Sequence, residues 1–232
     1  MIGIATHASP LSAEVLSHPD LWRASELACV AAPSLPTGFP GLDAELPGGG
    51  WPTGKLTEIL PAREGIGELR LLACALAGLS AAGRQLAWID PPHRPYAPAL
   101  AAFGIGLAQL IIVRTRTAQQ ALWAVEQALA SHAFGAVLAW PGAVKYAELR
   151  RLQLAAEGSR VLAALFRPEK AAAEPSPASL RIALASVAGG LAVHILKRRG
   201  APLARPVLLP ASARIDADRR FAGKTCHEQT TV

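Results

Sequence analysis

The sequence predicts an α/β fold with a mostly parallel sheet that is flanked by helices and ends in an antiparallel hairpin. Short apolar runs alternate with helix-length segments between residues 56 and 166. Hydrophobic residues make up 51% of the 232 residues, which is enough for one substantial core. Only 5% of the residues are aromatic, and alanine and leucine dominate, which favours helices packed on a sheet of small side chains.

The amino-terminal part is predicted to lie outside the main domain. Residues 1–32 form a lead-in with one short helix, which is capped near Asp20. The predicted core domain covers residues 33–200. Its first twenty residues are rich in proline and glycine and are expected to be a series of turns.

From residue 56 the pattern becomes regular. The predicted strands are residues 56–60, 85–90, 107–113, 136–140 and 160–166, and the predicted helices are residues 68–80, 98–103, 117–131 and 145–156. Strands and helices that alternate at this spacing are typical of βαβ units, which build a parallel sheet covered on both faces.

The carboxyl-terminal part departs from this rhythm. Residues 167–179 are predicted to be a linker, and residues 180–186 and 190–196 flank a glycine turn and are predicted to pair as an antiparallel hairpin. Residues 201–232 are predicted to be a proline-containing basic tail, largely disordered. Four apolar residues in this tail either pack back on the sheet edge or form a short extended docking motif: Leu203, Val207, Leu208 and Leu209.

Positive charge is concentrated near the carboxyl terminus. Residues 1–170 carry 14 basic and 13 acidic residues, whereas residues 171–232 carry 9 basic and 4 acidic residues. The candidate contact residues are Lys197, Arg198, Arg199 and Arg205. They would contact DNA phosphates or an acidic partner surface, and the alternative is a solvated strand end. No aromatic residues are interleaved with them, so we do not expect a base-stacking platform.

The cysteine pattern and the hydropathy indicate a cytoplasmic protein that does not span a membrane. Cys29, Cys74 and Cys226 are far apart and form no Cys-x-x-Cys pair, which argues against a disulfide scaffold or a zinc site. No apolar run reaches the roughly 18 residues that a membrane helix needs. We therefore expect neither a metal nor another cofactor.

Residues 60–67 have the layout of a phosphate loop without its chemistry. The working pattern Gly-x-x-x-x-Gly-Lys-Ser/Thr uses backbone N–H groups, a lysine and a hydroxyl to hold phosphate and Mg²⁺. Here Leu60 replaces the first glycine, Ile66 replaces the lysine, and Gly67 replaces the hydroxyl residue. Arg63 and Arg70 are not expected to supply the missing cation.

Several other motifs are predicted to be coincidental. Residues 223–225 spell Gly-Lys-Thr, but no strand precedes them. His93 lies between prolines with no carboxylate or cysteine at ligand spacing, and Cys226 and His227 are too few ligands for a metal site. Ser80 is expected at a helix end rather than at a nucleophile elbow.

Three segments resemble the RecA family over roughly residues 33–166. Residues 37–43 read TGFPGLD, residues 49–59 read GGWPTGKLTEI, and residues 85–90 read QLAWID. The resemblance implies a nucleotide-binding fold, yet Pro92 stands where that family has its catalytic glutamate and Trp140 where it has its metal-holding aspartate. Together with Ile66, these residues predict a pseudo-ATPase rather than an enzyme.

The narrower resemblance is to the ImuA family, RecA-like proteins of bacterial translesion synthesis that are also labelled SulA-like. It adds the segments at residues 190–200 and 202–206 to those above. It implies an accessory role in SOS-induced mutagenesis, with an ImuB-like inactive-polymerase homologue, an error-prone replicative-type DNA polymerase and RecA as partners. The implied location is the cytoplasm, with association with the nucleoid during DNA damage.

Three alternatives remain open at this point. The first alternative is a SulA-like cell-division inhibitor. The second is an ATP-dependent, DNA-binding recombinase-type protein with a degenerate nucleotide site. The third alternative is direct binding of single-stranded DNA through the basic carboxyl-terminal residues.

Overall fold

The computed structural model describes residues 33–203 and 205–211. The predicted lead-in of residues 1–32 and the tail beyond residue 211 lie outside the described residues. The first elements are two short strands and one helical turn: β1 (Ser34–Leu35), α1 (Pro40–Asp43) and β2 (Trp51–Pro52). Strands β1 and β2 pair antiparallel in a small sheet of their own.

The alternating core follows. Its elements are β3 (Lys55–Pro61), α2 (Arg70–Ala81), β4 (Gln85–Ile89), α3 (Ala97–Ala102), β5 (Leu110–Val113), α4 (Ala118–Ala130), β6 (Phe134–Ala139), α5 (Tyr146–Ala156), β7 (Leu162–Phe166), β8 (Leu180–Val187), β9 (Gly190–Lys197) and β10 (Val207–Pro210). Two 3₁₀ turns, Leu107–Gln109 and Glu169–Ala173, lie between them. The predicted strand at residues 107–113 is therefore shorter, because its first three residues form the first of these turns.

Eight strands form the main sheet in the order β10-β9-β8-β3-β7-β6-β4-β5. The five pairings among β3, β4, β5, β6, β7 and β8 are all parallel, and β8–β9 and β9–β10 are antiparallel. The predicted α/β class, with a mostly parallel sheet and an antiparallel hairpin near its carboxyl end, is confirmed.

Helices cover both faces of the sheet. One core packs α2 and α3 against side chains such as Ile59 and Trp88. The other packs α4 and α5 against side chains such as Leu56 and Val137. Burial on both faces explains why the central strands are almost continuously apolar in sequence.

The hairpin of β8 and β9 is extended by β10, which makes one edge of the sheet. A Cβ at Gly190 would lie 2.1 Å from the carbonyl oxygen of Leu209, so only glycine lets β10 approach this closely. Leu209 is buried, and Leu203 and Val207 pack against the core, whereas Leu208 is exposed. Of the two alternatives for this apolar stretch, the structure shows packing on the sheet edge.

None of the helices in the described ranges combines the length and the apolar character that crossing a membrane requires.

Candidate functional site

The candidate site lies where the parallel strands β3, β4, β6 and β7 end. In open α/β sheets, ligands bind outside the carboxyl ends of the strands. A cavity of about 490 Å³ is found here. It is lined by Pro61, Ala62, Arg63, Glu64, Glu68, Asp90, Pro92, Trp140, Gly142, Phe166, Arg167, Pro168 and Glu169. Pro92 and Trp140 line this cavity, whereas Ile66, in the loop after β3, lines a neighbouring one.

The loop between β3 and α2 forms a small anion nest that is already occupied by a side chain. Gly65 and Gly67 adopt positive φ angles of 77° and 103°, and both of their N–H groups donate to the same carboxylate. One carboxylate oxygen of Glu68 accepts from Gly65 N at 3.1 Å, and the other accepts from Gly67 N at 3.1 Å. Glu68 is buried, and its carboxylate satisfies both of these backbone donors.

Ile66 and the start of α2 complete this loop. Ile66 is half-buried and packs against the core cluster that includes Leu71 and Leu191. The helix begins at Arg70 rather than at the predicted residue 68, because Glu68 turns back to bond with the loop. No side chain caps the helix at Leu69. The carboxylate thus bonds with the loop that precedes the helix.

At the end of β4, the only acidic residue is held by a neighbouring threonine. Asp90 has a positive φ of 51°, which is unusual for a residue other than glycine. Its carboxylate accepts from Thr115 N at 2.7 Å and also contacts the Thr115 hydroxyl. Pro92 lies two residues later, is exposed and carries no acid–base group.

His93 has a carboxylate neighbour that sequence spacing did not reveal. Its Nε2 lies 3.3 Å from Glu64 Oε2, and both side chains are largely exposed. His93 is an exposed loop residue, as expected, and the loop after β3 brings Glu64 alongside it although the two are 29 positions apart in the sequence. Among the described residues, no group of three or more His, Cys, Asp or Glu residues is placed to hold a metal.

At the end of β6, Trp140 belongs to an aromatic cluster. Its ring lies 4.6 Å from that of Phe166, centroid to centroid, with an interplanar angle of 6°. Trp88 approaches it at 6.0 Å with a tilt of 59°. Aromatic side chains supply dispersion and shape, and the indole of Trp140 carries no oxygen ligand for a hard cation such as Mg²⁺.

Acidic side chains outnumber basic ones around the cavity. Glu64, Glu68, Asp90 and Glu169 line it, against only Arg63 and Arg167. The Arg167 guanidinium is already paired, through Nη1 to Glu58 at 2.8 Å and through Nη2 to Glu174 at 2.7 Å. Arg63 is the exposed cation at this cavity, on the loop itself.

Beneath the cavity lies a buried ionic network that the sequence reasoning missed. Glu58, in the middle of β3, has no exposed surface, and its two oxygens bind Arg167 and Arg181. Arg181 also donates to Ala171 O at 2.6 Å, which ties the turn after β7 to β8. Charged residues inside the apolar runs LTEIL and LRIAL are the signal that could have identified this network.

The predicted basic contact residues differ in their surroundings. The Lys197 ammonium donates to Ser176 O at 2.9 Å. Arg198 is half-buried and binds Glu45 Oε2 at 2.9 Å and Ala201 O at 2.7 Å, so it has a structural role. Arg199 is exposed and lines a separate groove, and Arg205 is exposed in the loop before β10. The motifs at residues 223–227 lie outside the described residues.

No protein-family model matches the chain. Among curated proteins, it is 34% identical over 111 residues to the cell division inhibitor SulA of Edwardsiella piscicida, covering 47% of this chain and 66% of that protein. It is 32% identical over 130 residues to the protein ImuA of Caulobacter vibrioides, covering 54% of this chain and 53% of that protein.

A third relative supports the fold. The chain is 31% identical over 99 residues to the protein RecA 1 of Myxococcus xanthus, covering 43% of this chain and 29% of that protein. Each alignment therefore spans less than two thirds of the relative's length. The match to a RecA protein agrees with the observed sheet and makes the fold RecA-like.

Proposed function

We propose that this chain, which belongs to an ImuA/SulA-like family, is a non-catalytic RecA-like accessory protein of SOS-induced mutagenic translesion DNA synthesis. It acts by binding other proteins. The observation that carries the proposal is the Glu68 carboxylate, which accepts hydrogen bonds from the N–H groups of Gly65 and Gly67. The loop that would hold a nucleotide is thereby closed from within.

A nucleotide would have to displace this carboxylate before it could bind. Charge-assisted hydrogen bonds to a carboxylate are about twice as strong as neutral ones, and phosphate would meet the negative charge of the displaced side chain. The residue after Gly65 is Ile66, which packs against the core, so no lysine is present at this position to offset the repulsion.

The other two positions point the same way. Pro92 cannot take a proton from water, and Asp90 is engaged with Thr115. Trp140 offers an aromatic face where Mg²⁺ needs an oxygen ligand. A RecA-like fold without these catalytic groups still has the surfaces that can bind other proteins, and we therefore assign it a binding function.

The proposed partners are an ImuB-like inactive-polymerase homologue, an error-prone replicative-type DNA polymerase and RecA. The matches to ImuA and RecA 1 support this assignment. Surfaces that a RecA protomer uses to contact its neighbour would be reused to meet these partners. The proposed location is the cytoplasm, at the nucleoid during DNA damage.

Calorimetric titration with ATP, with and without Mg²⁺, tests the loss of the nucleotide site. We expect no binding up to millimolar nucleotide, with an active RecA-family ATPase as the positive control. Micromolar affinity for ATP would overturn the proposal in favour of a recombinase-type ATPase.

Co-purification with each of the three partners tests the accessory role. The intact chain is compared with a version that ends after Ala211, which keeps β10 and therefore completes the sheet. We expect both versions to retain the polymerase-linked partners. If the intact chain bound none of the three partners, the proposal would be contradicted.

A second candidate function is inhibition of cell division, which the match to a protein named SulA favours. The same pull-down format with the tubulin-like division protein discriminates the two. Binding to that protein alone, and to none of the polymerase-linked partners, would replace the mutagenesis proposal with this one.

A further inference from the structure

A second groove lies at the amino-terminal end of the parallel strands, where β3 and β8 begin. It has a volume of about 500 Å³ and is lined by Lys55, Arg150, Gln153, Leu154, Glu157, Pro177, Ser179 and Arg199. Lys55 opens β3, Ser179 precedes β8, and Arg199 follows β9, which runs antiparallel to β8. Four chain segments that are distant in sequence therefore meet in this groove.

Three cationic side chains face this groove without partners. Within the described residues, the side chains of Lys55, Arg150 and Arg199 make no hydrogen bond or ion pair, and all three residues are exposed. Glu157 is the one acidic residue among the lining residues of the described chain. Its Oε1 accepts a hydrogen bond from Gln153 Nε2 at 3.1 Å, so it is directed towards its own helix.

The groove is built on rigid elements. Gln153 Oε1 accepts from the backbone N–H of Leu56 at 3.0 Å, which fixes the end of α5 to the start of β3. Arg150 and Leu154 are four residues apart on α5 and therefore lie on the same side of that helix. Lys55 and Arg150 are thus attached to a strand and a helix that are bonded to each other, and Arg199 lies two residues beyond β9.

An apolar residue lies among these cations. Leu154 is 56% exposed, although the opposite side of α5 is buried against the sheet. Pro177 adds a second apolar surface to the lining. No aromatic side chain is present among the lining residues, so unstacked bases would find no platform here.

We propose that this basic groove docks an acidic segment of a partner protein that carries a leucine-like side chain among its carboxylates. The carboxylates meet Lys55, Arg150 and Arg199, and the apolar side chain packs on Leu154. Charge complementarity selects this occupant, because three cations without partners among the described residues line the groove together with one exposed apolar side chain, and no lining side chain can stack on bases.

The inference deepens the proposed function, since it assigns one of the surfaces through which the accessory protein would bind. It does not depend on the identity of the polymerase partners. Its test therefore uses a synthetic probe, so that a failed groove and a failed accessory role give different results.

The probe is a fluorescent peptide in which aspartates and glutamates flank a single leucine, and the assay is fluorescence anisotropy with the full chain. We expect saturable binding that weakens as salt rises. Arg150→Ala, Arg199→Ala and Lys55→Ala should each weaken it about threefold, and the triple variant more than tenfold. Leu154→Ser should weaken the leucine peptide but leave a peptide with serine in its place unaffected.

Arg94→Ala is the matched control. Arg94 is an exposed arginine in the loop after β4, at the carboxyl-terminal end of the strands and therefore away from the groove. It should leave the affinity unchanged. A labelled oligothymidylate that binds more tightly than the peptide and loses affinity with the same three alanines would overturn the proposal in favour of nucleic acid. If Arg94→Ala lost as much affinity for the peptide as the groove variants, the binding would be non-specific charge attraction and the groove would not be the docking site.

Discussion

The ring of Trp140 lies parallel to that of Phe166, with centroids 4.6 Å apart. The two residues end neighbouring strands of the sheet, β6 and β7, which pair in parallel. A stacked pair at this point stabilises the strand ends by packing. A metal-holding carboxylate in the place of Trp140 would remove that contact.

Replacing Trp140 should therefore reduce stability without restoring catalysis. Because the indole is half-buried, we expect Trp140→Asp to lower the free energy of unfolding by about 2–4 kcal/mol. Urea denaturation followed by circular dichroism measures this. Trp123→Ala is the control, since Trp123 is 63% exposed and should change stability very little.

The combined change Ile66→Lys, Pro92→Glu and Trp140→Asp extends this prediction. It supplies all three missing groups, but the Glu68 carboxylate still bonds with the loop. We expect no ATP hydrolysis above the background rate in a phosphate-release assay. Hydrolysis by this variant would show that the three residues alone had blocked the site.

Removing the Glu68 carboxylate should open the anion nest. In Glu68→Ala, the N–H groups of Gly65 and Gly67 lose their partner, which should cost about 1–3 kcal/mol. Sulfate should then raise the thermal midpoint of the variant more than that of the wild type, because the anion takes the vacated place. Differential scanning fluorimetry across a sulfate series measures both effects.

Glu64→Ala is the matched control for this experiment. Glu64 lies in the same loop, but its side chain is exposed and it contacts only His93 among the described residues. It should leave the midpoint and the response to sulfate close to those of the wild type. An identical sulfate response in both variants would contradict the assignment of Glu68 as the occupant of the nest.

The sheet could be predicted from the sequence because its signal is local. Apolar runs such as residues 85–89 fill a strand that is buried on both faces, and the glycines near residue 189 mark the hairpin turn. The position of strand β10 in the sheet could not be predicted in the same way. Its pairing with β9 depends on a close approach between Gly190 and Leu209, which is a contact in space.

The prediction that the nucleotide site is non-functional rests on Ile66, Pro92 and Trp140, which are visible in the sequence. The role of Glu68 could not be predicted, because it depends on two positive φ angles that turn the loop back on itself. The basic groove was missed for a similar reason. Lys55, Arg150 and Arg199 lie far apart in the sequence, whereas the predicted contact residues Lys197, Arg198, Arg199 and Arg205 all lie near the carboxyl terminus.

The buried network around Glu58 makes a strong prediction about stability. Glu58→Gln removes the charge that Arg167 and Arg181 share, so that Arg181 loses its carboxylate partner in a desolvated site and Arg167 keeps only Glu174. Breaking a buried ion pair on one side typically costs about 3–5 kcal/mol. We expect Glu58→Gln to unfold at a much lower urea concentration than the wild type.

Arg151→Ala is the control for that measurement. Arg151 binds Glu126 across α4 and α5, but its side chain is 64% exposed. Exposed pairs contribute about 0–1 kcal/mol, so this variant should unfold near the wild-type midpoint. Similar midpoints for the Glu58 and Arg151 variants would mean that the buried network contributes no more than a surface pair.

The two edges of the main sheet are protected to different degrees. On the β10 edge, Pro206 and Pro210 interrupt the backbone donors, which discourages pairing with another strand. The β5 edge carries no proline, and Ile111 and Ile112 are each 43% exposed on opposite faces of the strand. This edge is therefore the side of the described sheet on which strand addition is least hindered.

Ile112→Lys should lower self-association of the chain at high concentration, because a charge on this edge opposes pairing between copies. Static light scattering over a concentration series measures the effect. Leu196→Lys is the matched control, since Leu196 is 46% exposed on β9, a strand that is paired on both sides. Equal reductions in the two variants would trace the effect to net charge rather than to the free edge of β5.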